Sequence, residues 1–266
     1  MVLDPRKKLV EFYKSNVPSD AKIVVSKRIG LSYARNTGAR EAKSDIVAFI
    51  DDDAFADERW LENLTRHYQD PTVMGVGGYV KPVWSGKRPG WFPEELDWIV
   101  GCSYKSLPEK LSTVRNPIGC NMSYRKKVFE RIGYFASDIG RFGTALLSKE
   151  ETEFSMRLLS RIVNSRIIYD PSSIVYHKVT ARRQNLRYLW RRSFSEGVSK
   201  VLIDKRSLGK FGGSTEDSYL RYLLKVAIPL RLHNISNGEN LRQLLVLFLS
   251  ISGVFTGFLL AKIQRQ

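Results

Sequence analysis

Three consecutive carboxylates, Asp51-Asp52-Asp53, close the apolar run DIVAFI at residues 45–50. Adjacent carboxylates repel one another unless a cation offsets them. A hard divalent ion that prefers oxygen ligands, Mg2+ or Mn2+, suits carboxylates shared with a substrate phosphate. In open α/β sheets ligands bind beyond the carboxyl ends of strands, and the triplet falls at such an end. The same triplet could equally be a solvated turn capping the next helix. A second acidic set, Glu150, Glu151 and Glu153, opens the segment 150–161. It could supply a general base, or it could simply complement the dipole of that helix. His177 follows the run SSIVY and could ligate a metal, touch a phosphate or be a hydrogen-bonded structural residue. Arg182, Arg183, Arg191 and Arg192 come next, suited to phosphate or to a solvated helical face.

The elements that must position these groups alternate short apolar runs with amphipathic segments. Helical spacing is expected over Leu9–Asn16, Ser32–Lys43, from Asp57 through Trp60 and Leu64, and over Glu150–Arg161. Strands are expected at Ala21–Ser26, Asp45–Ile50, Val73–Val80 and Ser165–Tyr169, and regular structure restarts over Asn121–Tyr124 and Lys127–Ile132. The continuous run DIVAFI predicts a strand buried on both faces, as in a parallel sheet. The whole pattern predicts an open α/β sheet. Between Lys81 and Pro117 the chain turns loop-rich and aromatic, and Trp84, Trp91 and Trp98 there could pack in the core or stack on a ligand.

At 266 residues, 43% of them apolar, the chain can bury a sizeable core and is not expected to be disordered. The excess of 43 Lys+Arg over 27 Asp+Glu gives a net charge of +16. That charge predicts an anionic partner, whether nucleic acid, bilayer or phosphorylated substrate. No helix-turn-helix, finger or aromatic RNA-binding signature accompanies it, so nucleic acid is not expected. Residues 178–231 carry a dense basic run, and Gln243–Ala261 has no charge at all. That length is about what a bilayer core of ~30 Å requires. Cys102 and Cys120 fit no metal or redox spacing and read as small buried residues in a reducing setting.

Beyond these physical readings, GLSYARNTGAREAKSDIVAFIDDDA (30–54) resembles the central signature of family 2 glycosyltransferases. NPIGCNMSYRKKVFERIGYF (116–135), LLSKEETEFSMRLL (146–159) and VYHKVTARR (175–183) are similar to its acceptor-side strand, its acidic catalytic helix and its closing basic segment. The resemblance covers residues 20–200. It implies a GT-A fold, a Rossmann-like open sheet, and inverting transfer of sugar from a UDP- or GDP-sugar. It further implies that Asp51, Asp52, Arg35 and Asn36 bind the donor and that Asp53, Asp51 and His177 hold the metal. Glu151, paired with Glu150, is then the base, and Gly119, Asn121, Arg157, Arg182 and Arg183 contact acceptor or phosphate. Arg35 could instead pair with a nearby carboxylate. The family's first strand–helix unit has no counterpart in the sequence, so an N-terminally truncated sheet is expected.

The resulting organisation is a GT-A catalytic domain at residues 1–180, a basic helical segment at 181–215 and membrane-associated helices at 216–266. Pro229 is expected to kink or end the helix near Tyr219–Leu232. The expected acceptor is a glycan on polyprenyl or dolichyl phosphate, at the cytoplasmic face of the cell membrane. An inactive, membrane-bound remnant of such an enzyme is the competing reading.

Overall fold

The computed structural model describes residues 2–3, 11–12, 21–138, 149–204 and 214–264. Of the segment expected to be helical at the start, only residues 11–12 fall among these, and they are helical. Val2–Leu3 (β1) pairs in parallel with Val24–Val25 (β2). The main sheet contains β3 (Ile46–Ile50), β4 (Ala54–Ala56), β5 (Val73–Trp84), β6 (Ser112–Thr113), β7 (Asn121–Arg125) and β8 (Arg166–Val179). Its order is β3-β7-β5-β8-β4, with β6 also pairing with β8. β5 and β8 run parallel, whereas β7 is antiparallel to both β3 and β5.

The helices are α1 (Leu31–Glu41), α2 (Trp60–Thr65), α3 (Lys126–Ile132), α4 (Glu150–Arg161), α5 (Leu186–Asp204), α6 (Ser214–Tyr222), α7 (Ile228–His233) and α8 (Gly238–Ile263). Strand alternation sends side chains to two cores, one on each face of the sheet. One gathers Val47, Met122, Tyr124, Phe129, Phe154 and Leu158 beneath α1, α3 and α4. The other gathers Trp60, Val76, Val80, Phe92 and Ile99 together with Leu189, Leu223, Ile228 and Leu247 from the C-terminal helices. Residues beyond 180 therefore share a core with the sheet.

Two expectations change. DIVAFI meets apolar clusters on both faces, through Ile46 and Ala48 on one and Val47 and Phe49 on the other. Its neighbour, however, is antiparallel, and among the described residues β3 is an edge strand with Ile50 40% exposed. An apolar run reports what covers its faces and says nothing about the direction of its neighbour. The loop-rich stretch after Val80 is also more ordered than expected. β5 continues to Trp84, and a 3-10 segment spans Glu94–Val100. Its tryptophans pack rather than project. Trp84 and Trp91 lie against Phe92, and the Trp98 indole N–H donates to the Tyr219 hydroxyl at 3.1 Å.

The C-terminal helices are fastened to the sheet domain and to each other. Arg231 donates to both Glu95 oxygens, at 3.0 and 2.8 Å, with both side chains buried. The helical path does not end at Pro229. It continues into α7 directly after a π-helical turn at Leu223–Ala227, so the regular α-helical hydrogen-bond ladder is interrupted on the N-terminal side of the proline. α5 and α8 approach through small residues. A Cβ on Gly197 would lie 2.0 Å from the Val254 carbonyl, and one on Gly257 would lie 2.1 Å from that of Phe194. The Ser193 and Ser250 hydroxyls meet there at 2.9 Å. α8 is long and apolar enough to cross a membrane, with a third of its apolar window buried. Its opposite face exposes Leu241, Leu245, Phe248, Phe255 and Leu259.

Candidate active site

Antiparallel pairing builds the site. Ile50 faces Asn121 across β3 and β7, which brings the two residues just outside that pair, Asp51 and Cys120, together. β4 faces β8 with Ala54 opposite His177, so Asp53 falls beside the imidazole. α1 and α4 complete the floor from below.

Arg35 on α1 is the hub. Its Nη1 donates to Glu150 Oε1 at 2.6 Å, and its Nη2 donates to Asp51 Oδ1 at 3.0 Å and to the Gly119 carbonyl at 2.9 Å. Burial works against its charge, but Asp51 and Glu150 outweigh that and raise its pKa. Gly119 is glycine for a steric reason, since a Cβ there would lie 2.9 Å from Nη2. Of the two roles expected for Arg35, the structure shows the carboxylate pairing. Glu150 is buried and bonded to this guanidinium, whereas Glu151 forms no ion pair among the described residues and accepts from the Thr152 hydroxyl at 3.4 Å. Burial and then the Glu150 carboxylate push the Glu151 carboxyl up to about 7, against the opposing charge of Arg35.

The second cluster surrounds Asp53. His177 Nε2 lies 3.2 Å from Oδ1, and Arg183 Nη2 donates to Oδ2 at 2.9 Å. Burial alone would raise the Asp53 carboxyl, but the His177 contact and the Arg183 charge hold it below the usual range. The other ring nitrogen of His177 contacts Cys102 Sγ at 3.6 Å. Asp51, Cys120 and His177 can each place one ligand atom so that all three lie within 4.8 Å of one another. Carboxylate oxygens with one imidazole nitrogen fit a divalent ion such as Mn2+ or Mg2+. The Cys120 thiol fits such an ion less well, because burial and the Asp51 charge push it up and keep it protonated.

Three of the residues expected to contact ligand make hydrogen bonds within the protein. Asn36 exchanges two hydrogen bonds with the Phe135 backbone, 2.8 and 2.9 Å. Asn121 is fully buried, donating to the Tyr79 and Ser173 carbonyls and accepting from the Trp60 indole. Arg157 pairs with Glu153 and donates to the Ile132 and Tyr134 carbonyls, pinning the turn after α3. In each case the side chain points into the protein, where an unmet polar group would be costly. Arg182 and Asp52 are exposed at the rim. Cys120 and Cys102 were missed as site neighbours. The β3–β7 pairing reveals Cys120 and the contact with His177 reveals Cys102, and a lone cysteine carries no sequence signal of either.

The family model described as glycosyl transferase family 2 matches residues 4–133. The chain is 34% identical over 233 residues to the glucosyl-dolichyl phosphate glucuronosyltransferase of Haloferax volcanii, across 86% of this chain and 74% of that protein. It is 29% identical over 175 residues to the pre-mycofactocin glycosyltransferase of Mycobacterium tuberculosis, of which it spans 35%. A solved structure, GalNAc-T7 with UDP, GalNAc and Mn2+, matches 87% of this chain and 51% of its own, at 14% identity and a TM-score of 0.48. The mixed sheet, with the acidic triplet past the end of β3, is of the GT-A kind. A relative that shares a third of its residues along three quarters of its length, together with the family match, places this chain in glycosyltransferase family 2.

Proposed function

We propose that this chain transfers a glycosyl group, with inversion, from a UDP- or GDP-sugar to the hydroxyl of a glycan carried on polyprenyl or dolichyl phosphate. The observation that carries the reading is the Arg35 bridge, which ties the acidic triplet through Asp51 to the acidic helix through Glu150. One guanidinium thereby fixes the distance between a donor-side and an acceptor-side carboxylate, the kind of preorganisation that lowers the entropic part of a barrier. The name of the haloarchaeal relative supports a lipid-phosphate-linked acceptor.

In this reading Glu151 takes the proton of the acceptor hydroxyl. As the oxygen bonds to the anomeric carbon, the bond from that carbon to the diphosphate breaks, and the nucleoside diphosphate leaves with the electron pair. A carboxyl raised to about 7 suits a base that works near neutral pH. Arg183, beside Asp53, stands where the leaving phosphates gain charge. A divalent ion would be held by Asp53 and His177 with Asp51 in reach, and would supply charge neutralisation to the donor diphosphate.

The exposed face of α8 supports association with a bilayer, and the basic run before it supports the cytoplasmic side. The test is transfer by the purified full-length chain from a panel of UDP- and GDP-sugars to a synthetic lipid-phosphate-linked glucose. A new glycosidic product that is lost with chelator and restored by Mn2+ or Mg2+ is expected. Absence of product with every donor would overturn the reading in favour of an inactive remnant. Transfer indifferent to chelator would remove the metal alone.

A further inference from the structure

Outside the site just described, one cluster of charged side chains links the start of α4 to α5, α6 and the segment before β7. Lys149, immediately before α4, reaches Glu196 on α5 at 2.6 Å. Arg192, one turn earlier on α5, lies 4.0 Å from the other Glu196 oxygen. Lys200, one turn later, stands 3.9 Å from Glu216 on α6. Arg115, before β7, donates to both Glu216 oxygens at 2.6 and 3.1 Å. Among the described residues, four cations, Arg115, Lys149, Arg192 and Lys200, thus lie around two carboxylates, Glu196 and Glu216. Glu150 cannot help, being committed to Arg35, and Glu151 has a raised pKa and is no full third charge.

The cluster has a covered floor and an open mouth. The Arg115 and Arg192 side chains are 9% and 8% exposed, whereas Lys200 and Glu216 are 31% and 30% exposed. The surplus registers on Lys200, whose pKa is lowered by burial and by the charges of Lys149 and Arg115 despite the two glutamates. Like charges held away from water are stabilised by an incoming anion. Its placement indicates which anion. Lys149 adjoins the catalytic glutamates in the chain, while α6 leads directly to exposed Leu220, Leu224 and Leu230.

We propose that Arg115, Lys149, Arg192 and Lys200 seat the phosphoryl group that joins glycan to lipid in the acceptor. This rests on the reading of the acceptor as lipid-linked and adds the residues that would select it. The phosphoryl group then lies between the reacting sugar, towards Glu151, and the lipid chain, along the apolar face beyond α6. Guanidinium and ammonium groups around a phosphate give charge-assisted hydrogen bonds, the stronger kind.

The test uses the full-length chain in detergent with three probes: farnesyl phosphate, farnesol and inorganic phosphate. Farnesyl phosphate should bind at least about tenfold more tightly than farnesol, as one or two charge-assisted bonds predict. Lys200→Gln should erase that preference without changing farnesol or UDP binding, and Lys200→Arg should keep it. Glu216→Gln should strengthen farnesyl phosphate binding, because it removes a competing anion. A cluster with only a structural role predicts the reverse for Glu216→Gln. Equal binding of farnesol and farnesyl phosphate, or a preference untouched by Lys200→Gln, overturns the proposal. Inorganic phosphate binding as tightly as farnesyl phosphate overturns the lipid assignment. If wild-type chain transfers sugar to a lipid-linked acceptor while Lys200→Gln keeps the preference, the phosphoryl seat fails and the transfer reading stands. If transfer fails while the Lys200-dependent preference persists, the reverse holds.

Discussion

β8 takes part in two aspartate–histidine pairs, and they are built for different ends. Near its start, Asp170 accepts from His67 at 2.6 Å, Arg66 at 2.7 Å, and the Ser172 backbone and hydroxyl at 2.9 and 2.6 Å. Burial opposes its ionisation, but these bonds hold the carboxyl at about 2. It clamps the irregularity where Gly78 faces Asp170 and Tyr79 already faces Ile174. Near the end of the same strand His177 meets Asp53 at a looser 3.2 Å, with the Asp53 side chain 29% exposed against 3% for Asp170. A saturated carboxylate is a fastener. A partly open one, charge-balanced by Arg183, keeps lone pairs for a ligand. Composition alone cannot separate the two, but the number of committed partners can.

The comparison can be broken or sharpened experimentally. The largest effect is expected at the open end, where Glu151→Gln should lower kcat by about 10²–10⁴-fold while nucleotide binding is kept. Retention of more than about a tenth of the turnover would move the base elsewhere. Next, the two aspartates should exchange consequences. Asp53→Asn should cut turnover by about 10²-fold or more with a nearly unchanged melting temperature. Asp170→Asn should cost about 1–3 kcal/mol of stability with little change in turnover at permissive temperature. If both variants behave alike, the distinction between fastener and ligand is void.

A subtler difference concerns pH. The Asp170 carboxyl lies at about 2, below the roughly 3.9 of an unfolded chain, so its stabilisation is complete above that value and is lost as pH falls through about 2. Acid unfolding should begin earlier in wild type than a simple carboxylate count suggests, and Asp170→Asn should flatten that limb. Glu151 is raised instead, so its basic form grows as pH rises, and kcat/KM should climb through about pH 7 and lose that limb in Glu151→Gln. The smallest effect is expected at exposed Arg182, where alanine should change stability by less than about 0.5 kcal/mol and leave turnover intact.

Much of the architecture was legible in the sequence. The helix at Glu150–Arg161 has the bounds its spacing predicts, and the acidic triplet does end a strand. Arg35, Asp51, Gly119 and Glu150 converge, as do Asp53, His177 and Arg183. What the sequence could not disclose was direction. Asn36, Asn121 and Arg157 stand within the motifs, yet their side chains point into the scaffold. A motif records that a position is constrained, and a buried amide holding two carbonyls constrains a position as tightly as a ligand does. The antiparallel partner of β3 was invisible for a similar reason, since apolar alternation records burial and not strand sense. Cys120 became a neighbour of Asp51 only once that pairing was known.

The glycine contacts between α5 and α8 have a mechanical consequence. With Gly197 and Gly257 letting the backbones touch and the Ser193–Ser250 bond between them, the two helices have almost no side-chain cushion to compress or shear. Such contacts hold in hydrocarbon as well as in water, because they rely on close packing rather than on the expulsion of solvent. Arg231 and Glu95 extend the same stiffness into the sheet domain. If α8 rests in or on a bilayer, Glu150 and Glu151 stand at a set height above it, like a stylus on a rigid arm. An acceptor would then be read by the distance from its lipid to its reactive hydroxyl, and a Gly257→Leu wedge should blur that reading by loosening the arm.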